Sequence, residues 1–102
     1  MENIKAKVLE LVKMVPKGKV TTYREIARKL GNPGLARAVG NALKKNEFLV
    51  IIPCHRVVKS DGQLGGYVNG VDKKLHLLLN EGIKIVDNKV ANLRESLFKF
   101  NP

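Results

Sequence analysis

Turn-forming residues constrain this chain more than any other feature. Pro16-Lys17-Gly18, Gly31-Asn32-Pro33-Gly34, Ser60-Asp61-Gly62, Gly65-Gly66, Gly82 and Asp87-Asn88 recur along its 102 residues, so it must fold from short elements joined by tight connections. No repeat, linker or low-complexity tract separates them. The length suits one domain, which at this size buries somewhat over ~60% of the surface its unfolded chain exposes. The longest unbroken apolar run, Phe48 to Pro53, is too short to cross a bilayer, and Met1-Glu2-Asn3-Ile4-Lys5 lacks the basic-then-apolar order of a signal peptide.

Between the turns, hydrophobic spacing predicts mostly helix with a little strand. Ile4, Val8, Leu11, Val12 and Val15 recur at helical intervals with Lys5, Lys7, Glu10 and Lys13 between them, and Pro16 stops the pattern. Lys19 to Thr21 reads as a short extended link. Thr22 and Glu25 have the spacing of a capping box, opening a second helix with Ile26, Ala27 and Leu30 on its apolar side. A third helix is expected from about Leu35 to Lys45, with Leu35, Val39 and Leu43 buried. Ala36, Ala38, Gly40 and Ala42 leave much of its remaining surface almost bare, which suits either close helix packing or close approach to a groove. Two short helices about a glycine-containing turn resemble a helix-turn-helix.

Phe48 to Pro53 reads as a uniformly buried, β-prone segment that delivers Cys54, His55 and Arg56 on extended backbone to the edge of the core, with Val57 and Val58 continuing as strand. Leu75, Leu78 and Leu79 mark a fourth helix from about Val71 to Glu81, closed by Gly82. Ile83 to Val86 is strand-like, Asp87-Asn88 a turn, and Val90, Leu93, Leu97 and Phe98 suggest a last amphipathic helix.

Nineteen Lys and Arg against nine Asp and Glu give a net charge of +10. A polyanion is the matching partner, and a phosphate backbone would bind such a surface with steep salt dependence. The lysines are spread along the chain rather than blocked together, so charge alone suits an ordinary soluble basic protein equally well. The one cysteine excludes an internal disulfide and any zinc site of two or more thiolates, and it fits a reducing, cytoplasmic setting.

Cys54 is useful as a nucleophile only if its surroundings favour the thiolate and leave it reachable. Arg56 supplies charge nearby and His55 a base, although neighbours on extended backbone point to opposite sides, so a bridging water is expected between imidazole and sulfur. Sole cysteines are as a class buried and inert, and spacing alone does not lift Cys54 out of that class.

Pro53-Cys54-His55-Arg56-Val57-Val58 resembles the active-site signature of the O6-alkylguanine-DNA alkyltransferases, which repair alkylated guanine by moving the alkyl group onto their own cysteine. Arg37-Ala38-Val39-Gly40 begins seventeen residues before the cysteine and Asn46 lies eight before it, with Gly65, Tyr67 and Glu81-Gly82 after it, all at the family's spacing. The similarity runs from the first helix to Val86 and corresponds to that family's C-terminal, DNA-binding domain. It implies a single winged helix-turn-helix-like domain, mostly α with a little β. The helix-turn-helix would occupy about residues 22–45 and the active-site segment 53–58, with the tail 87–102 unassigned.

The resemblance also implies roles. Cys54 is the nucleophile, His55 deprotonates it through water, Glu81 orients the imidazole, and Asn46 fixes the turn leading to the site. Tyr23 donates to a ring nitrogen of the departing guanine. Backbone groups of Cys54 and Val57 accept from the exocyclic amine, the Val68 N–H faces O6, Tyr67 lines the alkyl pocket and Lys74 adds positive charge there. Arg37 is the wedge that replaces an extruded nucleotide, because a stacked base is out of reach for in-line attack. Ala36, Ala38 and Gly40 then fit a helix entering a narrow minor groove, with backbone contacts from Asn32 and Thr22.

The implied partner is duplex DNA carrying O6-alkylguanine, with O4-alkylthymine as a further candidate, bound by a monomer without cofactor, metal or membrane. The product is a thioether with no reductant to release it, so each molecule would react once.

Some positions depart from the family pattern. Glu47 stands where proline is usual, Val68 where serine is, and Asn69 where glycine is; the bulk of Val68 is expected to narrow the pocket toward methyl. With the first helix starting at about residue three, the N-terminal domain usual in the family is expected to be absent, by nature or by truncation. Three rivals remain: a non-reactive lesion sensor like the alkyltransferase-like proteins, which carry another residue at the cysteine position; a plain winged-helix DNA-binding module; and a cysteine hydrolase.

Overall fold

In the computed structural model, which describes residues 4–47 and 51–100, the first apolar stripe forms helix α1 (Ile4–Lys13). Val8, Val12 and, just beyond the helix, Val15 are at most 1% exposed, as the helical period requires of one covered face. After the Pro16–Gly18 turn the chain enters strand β1 (Thr21–Thr22). Thr22 then caps helix α2 (Tyr23–Lys29), its hydroxyl oxygen accepting from the Glu25 N–H at 3.0 Å.

A 3₁₀ turn (Pro33–Leu35), opened by the Asn32 side chain accepting from the Gly34 N–H at 2.8 Å, aims helix α3 (Ala36–Lys44). The three helices pack on one another, with Val39, Ala42 and Leu43 turned inward. Leu35 sits in the turn and is only part-buried, because the stripe begins one helical turn later than the spacing suggests.

The active-site segment differs from its expected strand. Phe48, Leu49 and Val50 lie outside the described residues; Ile51 is 79% exposed while Ile52 is 8% exposed, so water covers part of that run. Cys54–Arg56 is not extended either. These residues form a 3₁₀ turn, with the Arg56 N–H donating to the Pro53 C=O at 2.9 Å and the Val57 N–H to the Cys54 C=O.

Strand β2 (Val57–Val58) follows and pairs in parallel with β1, Thr21 opposite Val57 and Thr22 opposite Val58. Its two-residue period splits the core. Val57 joins Val8, Val12, Ile26 and Val39, whereas Val58 joins Val20, Leu64, Leu78 and Ile83. This pairing sets the start of α2 beside the segment that carries the cysteine.

Helix α4 (Val71–Asn80) buries Lys74 and Leu78, one turn apart, and leaves Leu79 46% exposed. Gly82, at φ +86°, ends it as expected. Strands β3 (Ile85–Val86) and β4 (Lys89–Val90) form an antiparallel hairpin across Asp87 and Asn88, both at positive φ.

The last amphipathic helix is reduced to a single turn, α5 (Leu93–Ser96). Val90 belongs to β4, and Leu97 forms a parallel bridge with Val20. Backbone pairing overrides the helical spacing here: the Val20 N–H and C=O need partners inside the protein and find them in the Ser96 C=O and Phe98 N–H, at 2.9 and 2.7 Å. The result is mostly α with a little β, and among the described residues no helix is long and apolar enough to cross a membrane.

Candidate active site

These elements converge on a cleft of about 630 Å³. Ala36, Arg37, Gly40, Asn41, Leu43 and Lys44 of α3 form one wall, Gly65–Val68 the other, and Tyr23 and Lys59 also line it. Cys54, only 5% exposed, lies in its floor. The positive φ of +74° at Gly65 lets the loop pass close to Tyr23; a Cβ there would stand 3.0 Å from the tyrosine hydroxyl.

The thiol is held from the side of α3. Asn46 Nδ2 donates to the Ile52 C=O at 3.2 Å and to Cys54 Sγ at 3.4 Å, which ties the end of the helix across to the 3₁₀ turn. Burial pushes the Cys54 thiol above its usual value, while the Asn46 hydrogen bond and the Lys74 charge pull the other way. The resting group is therefore a thiol that needs a base.

His55, fully buried, is that candidate base. Its Nε2 is 3.0 Å from Glu81 Oε2, and its Nδ1 has no protein hydrogen-bond partner among the described residues. Burial above all, helped by the charges of Arg56 and Lys74, holds the imidazole below its ordinary value against the opposing pull of Glu81. Burial acts to raise the Glu81 carboxyl, but its bonds to Arg56 and His55 outweigh that and keep it below the usual carboxylate range. An ionised Glu81 and a neutral ring place the proton on Nε2 and leave the Nδ1 lone pair free to accept one.

Arg56 acts differently from the sequence expectation of a charge beside the sulfur. Its Nε and Nη2 grip both Glu81 oxygens at 2.9 and 2.7 Å, and its Nη1 donates to the Val15 C=O at 2.8 Å. It thereby joins the segment just after α1, the cysteine turn and the C-terminal cap of α4.

Lys74 is fully buried, donates to the Val57 C=O at 2.7 Å and the Gly66 C=O at 3.1 Å, and lies 5.9 Å from the centroid of the Tyr23 ring. Burial lowers its ammonium to about 8. Tyr23 is shifted up, by burial first and then by Cys54, so its hydroxyl keeps its proton and remains a donor. Tyr67 meets His55 edge to face, with ring centroids 6.5 Å apart.

Of the residues singled out from sequence, Cys54, Tyr23, Tyr67, Val68, Arg37, Ala36 and Gly40 line the cleft, and Asn46, His55, Glu81 and Lys74 stand behind it. Val57 is fully buried and its carbonyl already accepts from Lys74. Val68 lines the cleft and is 50% exposed. Ala38 and Asn32 lie outside the lining, and Asn32 caps the turn before α3. Thr22 is 4% exposed, with its hydroxyl oxygen engaged in capping α2, so its side chain serves the helix end rather than a surface contact. Sequence reading missed Asn41, Lys44 and Lys59. The first two follow Arg37 by four and seven residues, so helical periodicity alone would have found them.

Residues 3–83 match the sequence model of the 6-O-methylguanine DNA methyltransferase DNA-binding domain. The chain belongs to this family. A methylated-DNA–protein-cysteine methyltransferase of Saccharolobus islandicus is 53% identical over 78 residues, which are 76% of this chain and 50% of that protein. The protein of the same description from Methanothermobacter thermautotrophicus is 44% identical over 79 residues, 78% of this chain and 44% of its own length. The chain thus spans about half the length of these relatives.

Among solved structures, Schizosaccharomyces pombe Atl1 in complex with damaged DNA containing O6-carboxymethylguanine overlays with a TM-score of 0.86 at 34% identity, over 98% of this chain and all of that one. Mycobacterium tuberculosis OGT in complex with DNA overlays at 0.76 and 39% identity, over 80% of this chain and 50% of that one. The Atl1 overlay, at 98% of this chain, extends past residue 83, where the family model ends.

Proposed function

We propose that this protein repairs duplex DNA by moving the alkyl group of O6-alkylguanine irreversibly onto Cys54, one transfer per molecule. The observation that carries the reading is a thiol in the floor of an open cleft with the Glu81-oriented, neutral His55 next to it in the chain. The thiol proton passes to His55 Nδ1 through water. The sulfur electron pair then forms the new C–S bond as the C–O6 bond breaks, and the pair left on oxygen spreads into the guanine ring, where the Tyr23 hydroxyl donates to a ring nitrogen. The product is a thioether and, once the proton taken up by His55 returns through water to the guanine ring, a restored guanine.

Access requires the nucleotide to leave the stack. α3 suits the minor groove, with Ala36, Ala38 and Gly40 admitting the backbone closely, Arg37 at the cleft rim as the wedge, and the Asn32 turn and the capped end of α2 toward the phosphates. The net charge of +10 supports a polyanionic partner.

Intact-mass spectrometry after incubation with an oligonucleotide carrying O6-methylguanine tests this. The protein should gain one methyl, Cys54→Ser should gain none, and Arg37→Ala should react more slowly on duplex while keeping its rate with free O6-benzylguanine. The end-to-end overlay on Atl1 favours a second reading, a lesion sensor that does not transfer. That reading predicts tight binding to the lesion with unchanged protein mass, and such a result would replace the first.

A further inference from the structure

Lys74 heads the large side chains that are fully buried among the described residues, an expensive place for an ammonium unless the fold uses its donors. Both carbonyls it holds matter for the cleft. Val57 follows directly on the Cys54–Arg56 turn, while Gly66 belongs to the facing loop that carries Tyr67 and Val68. Tyr67 anchors that loop by its ring, packed against the core and edge to face with His55, but the backbone on either side is looser: Gly65 and Gly70 adopt positive φ, Gly66 and Val68 are exposed, and the Tyr67 C=O accepts from the Gly70 N–H within the loop at 2.9 Å.

Building on the transfer reading, we infer that Lys74 is a positioning residue, a strut that sets the spacing between the cysteine turn and the Gly65–Val68 loop and therefore the width of the pocket that receives the alkylated base. This differs from lending charge to the thiol. A charge effect slows every adduct alike, whereas a loosened wall harms small adducts, which need close confinement for in-line attack, more than large ones that fill the gap themselves.

Lys74→Met keeps the length of the stem and removes the donors. With the wall free to drift by an ångström, methyl transfer should slow by about tenfold or more, and the ratio of benzyl to methyl rates should rise severalfold. Affinity for unmodified duplex should stay within about twofold, since the DNA-facing residues are untouched. In the wild-type protein, amide order parameters for Gly65–Val68 should lie near ~0.85, typical of rigid backbone, which tests the strut even if the variant does not fold.

Equal slowing of both adducts, an unchanged methyl rate in Lys74→Met, or order parameters below about 0.6 in the wild type would each overturn the strut while leaving wild-type transfer intact. Wild-type protein that takes up no alkyl group overturns the transfer reading and this role with it.

Discussion

Replacing Arg56 with methionine separates what the guanidinium holds from what a charge near the sulfur would do. The change removes three charge-assisted hydrogen bonds of 2.7–2.9 Å and leaves the Glu81 carboxylate with His55 alone. The paired side chains are 15% and 12% exposed, so solvent screens them only slightly. Breaking a buried pair from one side costs ~3–5 kcal/mol; the retained methionine stem and the residual exposure put the expectation at about 2–3 kcal/mol. With a urea slope of about 1–2 kcal/mol per molar, the midpoint should fall by roughly 1–3 M at neutral pH with the slope unchanged.

The pH dependence fixes the sign. Glu81 has a depressed pKa in the folded state, so its stabilisation is present above the unfolded value and lost as pH falls through the folded one. Wild type and variant should therefore converge below the ordinary carboxylate range. His55 responds in the opposite sense: without Arg56 it loses a charge that keeps it neutral and faces a less compensated Glu81, so it holds its proton to higher pH. The acid limb of the transfer rate should shift upward in the variant. A midpoint change under about 0.3 M, together with an unmoved acid limb, would refute the clamp.

Gly65→Ala forces a side chain onto φ +74° and to within 3.0 Å of the Tyr23 hydroxyl. It should cost about 1–2 kcal/mol in chemical denaturation and slow transfer by pushing Tyr23 aside, with duplex affinity unchanged. Asn46→Ala strips a donor from the buried Ile52 C=O and from Cys54 Sγ; stability should drop by about 1–3 kcal/mol, and ultraviolet titration should find the thiol pKa higher still.

Much of the helical framework was legible in the residues because it depends on local rules. The α1 stripe, the Thr22 cap, the Gly82 stop and the Asp87-Asn88 turn each follow from periodicity or from backbone preferences that act over a few neighbours. The misreadings came where a distant partner outweighs local preference. Leu93 to Phe98 has helical spacing, yet the backbone of Val20 recruits its end into a bridge. Ile51 belongs to an apolar run but is 79% exposed.

The candidate site divides in the same way. Its signature residues were recognisable as a pattern, and their identities already limited the chemistry to a nucleophile, a base and a carboxylate. That Cys54 opens into a cleft, that Glu81 reaches His55 across twenty-six residues, that Arg56 serves the carboxylate rather than the thiol, and that a lysine spans two walls were decided by the parallel pairing of β1 with β2 and the packing of α4 behind them. Sequence determines such things only through the whole chain at once, because a hydrogen bond between residues far apart exists only where the intervening fold has already brought its donor and acceptor together.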